Sequence, residues 1–232
     1  MAVSKRTTIE RGAEHVRGAD GPWRRLRFED LHTDARMLAR RLIGARLVRV
    51  LPGGERLSGV IVETEAYVGV RDRASHAFGG RRTTRNEPMY ARAGTAYVYF
   101  TYGMHHCMNV TSGEVGEPAA VLIRALEPVE GRSAMAVLRG LSRPGEELDW
   151  ARLGARDLCG GPARLCRAMS IDRAFSGCDL TRSPELFLEA SNGWPKKRLR
   201  LASGPRIGIR SAGEWTEKPL RWWLRGHPCV SR

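Results

Sequence analysis

The sequence has no apolar run approaching the ~20 residues of a membrane span, and no apolar core follows Lys5 and Arg6 near the N-terminus. Neither a spanning helix nor a signal peptide is expected. Cysteine is sparse: Cys107, Cys159, Cys166, Cys178 and Cys229 are odd in number, widely spaced and never arranged as Cys-x-x-Cys, which excludes a disulfide framework and a zinc knuckle. Together these absences fit a protein of a reducing, intracellular compartment that needs no membrane. Acidic residues are few beside basic ones, 25 against 39, and the formal charge of +14 suits a polyanionic partner, nucleic acid first. Lysine supplies only four of those cations (Lys5, Lys196, Lys197 and Lys218), so arginine-rich coding bias is the competing account of the charge.

The 232 residues, 42% of them hydrophobic, can bury a substantial core as one domain, and neither an internal repeat nor an interdomain linker is visible. Residues 1–22 are polar, basic and without apolar periodicity, which predicts a mobile N-terminal arm ahead of a single domain over 23–232. Asp34 can cap a helix carrying Ala35, Leu38, Ala39 and Leu42 at helical spacing, with Gly44 as its stop. Arg46 to Leu51 and Leu57 to Thr64 flank Pro52-Gly53-Gly54-Glu55 and predict a hairpin. Residues 69–94 lack periodicity and predict a long functional loop. Strands are expected at 95–101, 105–111 and 118–125, then a helix over 131–141, a polar connection over 142–154, and a helix opened by Gly161-Pro162 and running to Met169. Glu185 to Glu189, Arg206 to Arg210 and Leu220 to Arg225 complete the predicted sheet, with a basic loop over 191–205.

Tyrosine is missing from the whole chain except one region, which holds Tyr67, Tyr90, Tyr97, Tyr99 and Tyr102. Strand alternation puts Glu63, Glu65 and Tyr67 on one face and Val62, Thr64 and Ala66 on the other. A carboxylate beside a cleft can take a proton from water and favour a cationic, sugar-like transition state, and Glu65 is the better candidate because Tyr67 follows it. Solvated or ion-paired glutamates are the alternative. Tyr97 and Tyr99 share a face and with Tyr67 offer a slot for one planar ring, unless they are ordinary half-buried sheet residues. Tyr102 sits at a hairpin tip before Gly103, where its ring can project and wedge between base steps. Asn109 carries both donor and acceptor groups with which to test a base edge. His105 and His106, being adjacent, point to opposite faces of a strand, and no carboxylate or thiol cluster accompanies them, so no metal is expected.

The runs IVETEAYVG (61–69), His76 with Gly79-Gly80-Arg81, Thr84-Arg85-Asn86, GTAYVYFTYGMHHCMN (94–109), LIRALEPVE (122–130), 161–169 and AGEWTEKPLRWWLRGHPCVS (212–231) resemble the mammalian-type alkyladenine, or 3-methyladenine, DNA glycosylase family. The resemblance covers roughly Leu31 to Ser231. It implies a monofunctional hydrolase of base excision repair that flips alkylated or deaminated purines (3-methyladenine, with hypoxanthine and ethenoadenine as further substrates) out of duplex DNA and cuts the N-glycosidic bond with water. Matched residue by residue, Glu65 would be the base that activates water and Arg124 would help position it. Tyr67 and Tyr99 would sandwich the flipped base, with contact from His76. Tyr102 would fill the gap in the duplex, and Asn109 would leave no room for a guanine amino group. The fold implied is a single α+β domain with a curved, mostly antiparallel sheet, flanking helices and a projecting hairpin. The enzyme would need no cofactor, act as a monomer on double-stranded DNA, and work in the cytoplasm beside the nucleoid of a bacterium or in a eukaryotic nucleus. None of the lysines lies in the tyrosine-rich region, consistent with water rather than an amine as nucleophile. A nucleic-acid-binding module without catalysis, stacking bases on the same tyrosines, is the rival reading. Two departures are expected to border the site: His105-His106 stands where the family more often has aromatics, and segment 113–118 is longer than in close relatives.

Overall fold

The computed structural model describes residues 22–150, 152–195 and 199–231. All of the expected N-terminal arm but Pro22, and Lys196, Lys197 and Arg198 of the expected basic loop, lie outside the described residues. The chain runs β1 (Arg24–Arg25), α1 (Phe28–Leu31), α2 (Ala35–Leu42), β2 (Arg46–Val50), β3 (Arg56–Val68), β4 (Ala96–Thr101), β5 (His105–Ser112), β6 (Ala119–Glu130), α3 (Arg132–Arg139), α4 (Ala155–Cys159), α5 (Pro162–Ala168), β7 (Leu186–Ala190), β8 (Leu201–Gly204) and β9 (Arg221–Leu224). The strands form one nine-stranded sheet in the order β1-β7-β2-β3-β6-β5-β4, with β9 added to β3 and β8 to β9, and every pairing is antiparallel. This is the α+β class with flanking helices that the sequence predicts.

Strand β3 organises the rest. Its 13 residues are long enough to serve two neighbours along one edge: β2 pairs with its first half, up to Arg46 opposite Val60, and β9 pairs with Glu63 to Glu65. Along the other edge lies β6. Nearly all of β3 is buried, because α2 covers one face while loops and the C-terminal segment cover the other. Thr64 marks the α2 side by donating its hydroxyl to the Ala39 carbonyl at 2.8 Å.

Helix α2 forms as its sequence dictates. Asp34 accepts from the backbone of Arg36 at 2.8 Å, and the apolar stripe Ala35, Leu38, Ala39 and Leu42 is buried. Leu38 and Leu42 are completely inaccessible, and each such leucine contributes about 1.5–3 kcal/mol, more than an exposed ion pair returns. This layer therefore fixes the helix on the sheet. Helix α5 opens on Pro162 and packs Leu165, Cys166 and Ala168 against β5 and β6.

Several expectations change. The Arg206–Arg210 stretch alternates like a strand, but Gly208 at φ +82° turns the chain and no pairing forms there; the strand falls instead at Leu201–Gly204, inside the expected loop. Helix α4 is an addition. The expected loop over 69–94 holds two short 3-10 turns, Phe78–Gly80 and Glu87–Tyr90.

Candidate active site

The sheet register assembles the site. Tyr97 on β4 faces Asn109 on β5, Asn109 faces Leu122 on β6, Leu122 faces Glu65 on β3, and Glu65 faces Arg221 on β9. Residues two positions along each strand stand on the same face, which adds Tyr99, Cys107, Arg124 and Tyr67 to the patch. A cavity of about 350 Å³ opens over it, lined by Tyr67, His76, Tyr97, Tyr99, Tyr102, Cys107, Asn109, Leu122 and Arg124 and closed by Met89, Pro162 and Ile207 to Ile209. Its volume lies at the small end of the range typical of small-molecule sites. Six of the seven residues singled out for the site from sequence, Tyr102 among them, therefore line one concavity, and the seventh, Glu65, is tied to two of the lining residues, Tyr67 and Arg124.

Strict alternation fails just before the acids, and that failure shapes the centre. Ile61 faces Leu126 and Glu63 faces Ala125, so Val62 is an extra residue on β3; Thr64 faces Ile123, so Arg124 is an extra residue on β6. Bulges of this kind re-aim side chains next to active sites. Val62 packs with Ile43, Ala125, Leu224 and Cys229 rather than with Ala66 in the main core, a correction to the expected parity. Arg124 turns to both acids, with its Nε 3.1 Å from Glu63 Oε1 and its Nη1 3.1 Å from Glu65 Oε1.

Both glutamates are fully buried, yet their surroundings differ. Glu63 accepts from Arg124, from Arg221 Nη1 at 3.0 Å, and from the Ser231 backbone at 2.7 Å and hydroxyl at 3.0 Å. It is saturated. Glu65 Oε1 accepts from the Ile207 backbone at 2.7 Å, while Oε2 accepts from the Tyr67 hydroxyl at 3.0 Å. Burial pushes the Glu65 carboxyl above the ordinary carboxylate value, against the pull of Arg124, the Ile207 N–H and the Tyr67 hydroxyl. A carboxylate so placed retains affinity for a proton, as a base must.

The aromatic side is ordered by burial. Tyr97 is only 1% exposed and packs with Ala77, Met89, Tyr90 and Ala120, so it forms the floor of the cavity rather than a free stacking face as expected. Burial lifts its hydroxyl pKa to about 12. His76 Nδ1 shares a hydrogen bond with that hydroxyl at 2.8 Å, and its ring stands edge-on to Tyr99 at 4.6 Å. Burial, with Arg85 and Arg81 nearby, lowers the His76 pKa to about 4, so the imidazole is neutral at neutral pH. Asn109 donates its amide to the Tyr97 carbonyl at 3.0 Å, which fixes its side chain.

Tyr102 occupies the tip of the β4–β5 hairpin, 85% exposed, with a left-handed backbone at φ +52°. A tyrosine held there gains no burial in return for its left-handed backbone. Phe100 and Met104 flank it, 40% and 69% exposed. His105 is exposed and His106 packs on Phe100 at 5.0 Å. Segment 113–118 does not line the cavity, contrary to expectation; it packs against Thr33 and Tyr90, and Glu114 meets His32 at 2.9 Å.

Sequence reading missed a second anchor. Arg206 and Asp72, both with fully buried side chains, form a bidentate pair at 2.5 and 2.8 Å. Arg206 also donates to the Ala66 carbonyl at 3.0 Å and lies 4.7 Å from the Tyr67 ring centroid. It thus seats Tyr67 and holds the neighbouring Ile207 N–H against Glu65. The run that contains it had the look of a strand, and no local pattern ties residue 206 to residue 72. Among the described residues, no group of acidic, histidine or cysteine side chains is arranged to hold a metal ion, and no helix is long and apolar enough to cross a membrane.

The family profile described as methylpurine-DNA glycosylase (MPG) matches residues 29–228. The human DNA-3-methyladenine glycosylase is 45% identical over 207 residues, 89% of this chain and 68% of that protein. The mouse protein of the same name is 46% identical over 84% of this chain, which spans only 57% of its length. A relative from Methanocella arvoryzae is 45% identical, with 84% of this chain and 90% of its own length covered.

Proposed function

The chain belongs to the methylpurine-DNA glycosylase family, and from that premise we propose that it hydrolyses the N-glycosidic bond of alkylated purines in duplex DNA, 3-methyladenine first, with hypoxanthine and ethenoadenine as further substrates. The observation that carries the reading is Glu65: a fully buried carboxylate beside an aromatic cavity, one oxygen tied down by Arg124 and the Ile207 N–H, the other met, among the described residues, by the Tyr67 hydroxyl alone. A base flipped from the stack enters between Tyr67 and Tyr99, with His76 at the edge. A purine nucleotide alkylated at N3 or N7, such as 3-methyladenine, carries positive charge, which tyrosine faces attract more than they attract a neutral purine. Asn109, fixed by its bond to Tyr97, leaves no room for the guanine amino group.

Glu65 then takes a proton from water as its oxygen attacks C1′. The bond from C1′ to the base breaks, its electron pair leaves with the base, and an abasic site remains. Charge on Glu65 favours the cationic sugar at the midpoint of this exchange, and Arg124 orients the carboxylate and water. No lysine lines the cavity among the described residues, which supports water over a Schiff base. The protein acts alone, in the compartment that holds the cell's DNA; its free thiols suit a reducing one. The test is direct: purified protein and duplex DNA carrying 3-methyladenine should yield free base and abasic sites, whereas a protein that only binds would yield neither.

Tyr102 is the wedge in this reading, filling the stack that the flipped base vacates. Tyr102→Ala should slow excision from duplex by about 10-fold, matching the roughly 1–3 kcal/mol of a lost stacking contact, and leave excision from single strands nearly unchanged. Equal rates on duplex for both proteins would remove the wedge role.

A further inference from the structure

The Glu63 network reaches past the reaction just described, although its catalytic meaning rests on that reading. Each nitrogen of the Arg124 guanidinium has its own partner: Nε meets Glu63 Oε1 at 3.1 Å, Nη1 meets Glu65 Oε1 at 3.1 Å, and Nη2 donates to the Ser231 hydroxyl at 3.2 Å. Three fixed directions leave the planar group no freedom to rotate. Glu63 is held in turn by Arg221 and by the backbone and hydroxyl of Ser231. Arg221 is anchored at its other end, its Nε donating to the Pro205 carbonyl at 2.9 Å, just ahead of the Arg206-Ile207 pair that serves Glu65. Strand β9 and the C-terminal segment thus converge on one buried acid that does not line the cavity.

We propose that Glu63 is a positioning residue whose carboxylate, gripped by Arg221 and Ser231, aims Arg124 at Glu65 and divides that guanidinium's charge between the two acids. A buried glutamate serving only packing would not need to share its cation with a second glutamate. Sharing has a consequence. With the positive charge divided and a second negative charge nearby, Glu65 keeps more affinity for a proton than sole possession of Arg124 would allow. Among the described residues the other groups facing Glu65 are Tyr67 on β3, Tyr99 on β4, Cys107 on β5 and the Ile207 N–H, none of which bonds to Glu63, and Arg221 on β9, which loses its Glu63 partner on replacement and whose positive charge then pulls Glu65 in the same direction as Arg124.

The experiment compares Glu63→Gln, Glu63→Asp, Ser231→Ala and Ser231→Thr with the wild-type protein in single-turnover excision across pH, with lesion-duplex affinity and Tm measured alongside. Glu63→Gln should slow excision about 100-fold, the scale of a small misplacement of a catalytic group, with affinity retained. Its acid limb should move to lower pH, because Arg124 then acts on Glu65 alone. Glu63→Asp should recover part of the rate. Ser231→Ala should lose about 10-fold and Ser231→Thr, which keeps the hydroxyl, should regain it. Wild-type rates in Glu63→Gln would overturn the proposal, and so would a slower rate accompanied by a lower Tm with the acid limb unmoved, which is the signature of a packing role. Should Glu63→Gln not fold, the serine pair decides: equal rates in Ser231→Ala and Ser231→Thr overturn the proposal. Absence of excision by the wild-type protein would refute the proposed reaction instead. In that event a 13C NMR titration of the glutamate carboxyls decides the present point, since Glu65 must titrate at lower pH in Glu63→Gln whether or not turnover occurs.

Discussion

Glu65→Gln is expected to lower single-turnover excision of 3-methyladenine from duplex DNA by about 10²- to 10⁴-fold, roughly 3–5 kcal/mol of barrier, which is the usual worth of a positioned base. The amide keeps the shape of the side chain and an oxygen for Arg124 and the Ile207 N–H, but it cannot take a proton from water and brings no negative charge to the developing sugar cation. Lesion-DNA affinity should survive, because the tyrosines and His76 that would hold the base are untouched. Unfolding is not the cause to fear. Burial raises the Glu65 carboxyl above its ordinary value, so the folded protein holds that proton more tightly than the unfolded chain does. The contribution of Glu65 to stability is thus greatest below the ordinary carboxylate value and declines as pH rises through the raised folded value. At neutral pH the variant, which carries no buried charge there, should melt no lower than wild type, and Arg124 still has Glu63 as its counter-charge. The same shift sets the pH dependence: wild-type excision should fall as pH drops through a value above the ordinary carboxylate range. Wild-type excision by Glu65→Gln under single-turnover conditions would mean that another group activates water.

How much of this centre could be read from the residues alone depends on how local each signal is. Glu65 and Tyr67 were legible because two positions on one strand share a face whatever the rest of the chain does. Helix α2 was legible because its cap, Asp34, and its apolar stripe lie within nine residues. Arg124 is a different case. Its meeting with Glu63 and Glu65 depends on β6 being the partner of β3 and on the register in which the two pair, and neither strand's sequence shows that by itself. Resemblance to a family pointed to Arg124 where pattern could not. The Ile207 N–H was beyond both, since a backbone amide has no residue type to notice, and the alternation of Arg206 to Arg210 suggested a strand that Gly208 prevents. Tyr97 was legible as a sheet tyrosine near the site, but its depth, which makes it floor rather than wall, depends on Met89 and Tyr90 arriving from the long loop.

The buried pair of Asp72 and Arg206 is where the largest loss of stability is expected. Arg206→Met keeps the length of the chain and fills most of its volume, yet it leaves the Asp72 carboxylate buried without a counter-charge and the Ala66 and Trp215 carbonyls without their donor. Breaking a buried pair from one side costs about 3–5 kcal/mol. For a domain of this size that is a fall in Tm of roughly 6–20 °C. Asp72 keeps its bonds from the Val68 and Ala74 backbones, which places the cost toward the lower half of that range. The functional effect follows from position. Arg206 fixes the segment that presents Ile207 N–H to Glu65 Oε1 and lies over the ring of Tyr67, so its loss frees two of the groups that hold the Glu65 carboxylate. Excision per folded molecule, measured well below the lowered Tm, should drop about 10-fold, consistent with one hydrogen bond of roughly 1.5–3 kcal/mol to a charged group. A Tm within a degree of wild type would show that the pair does not hold this part of the fold. A lowered Tm with undiminished excision would show that Ile207 reaches Glu65 without Arg206, and the link between the buried ion pair and the base would have to be given up.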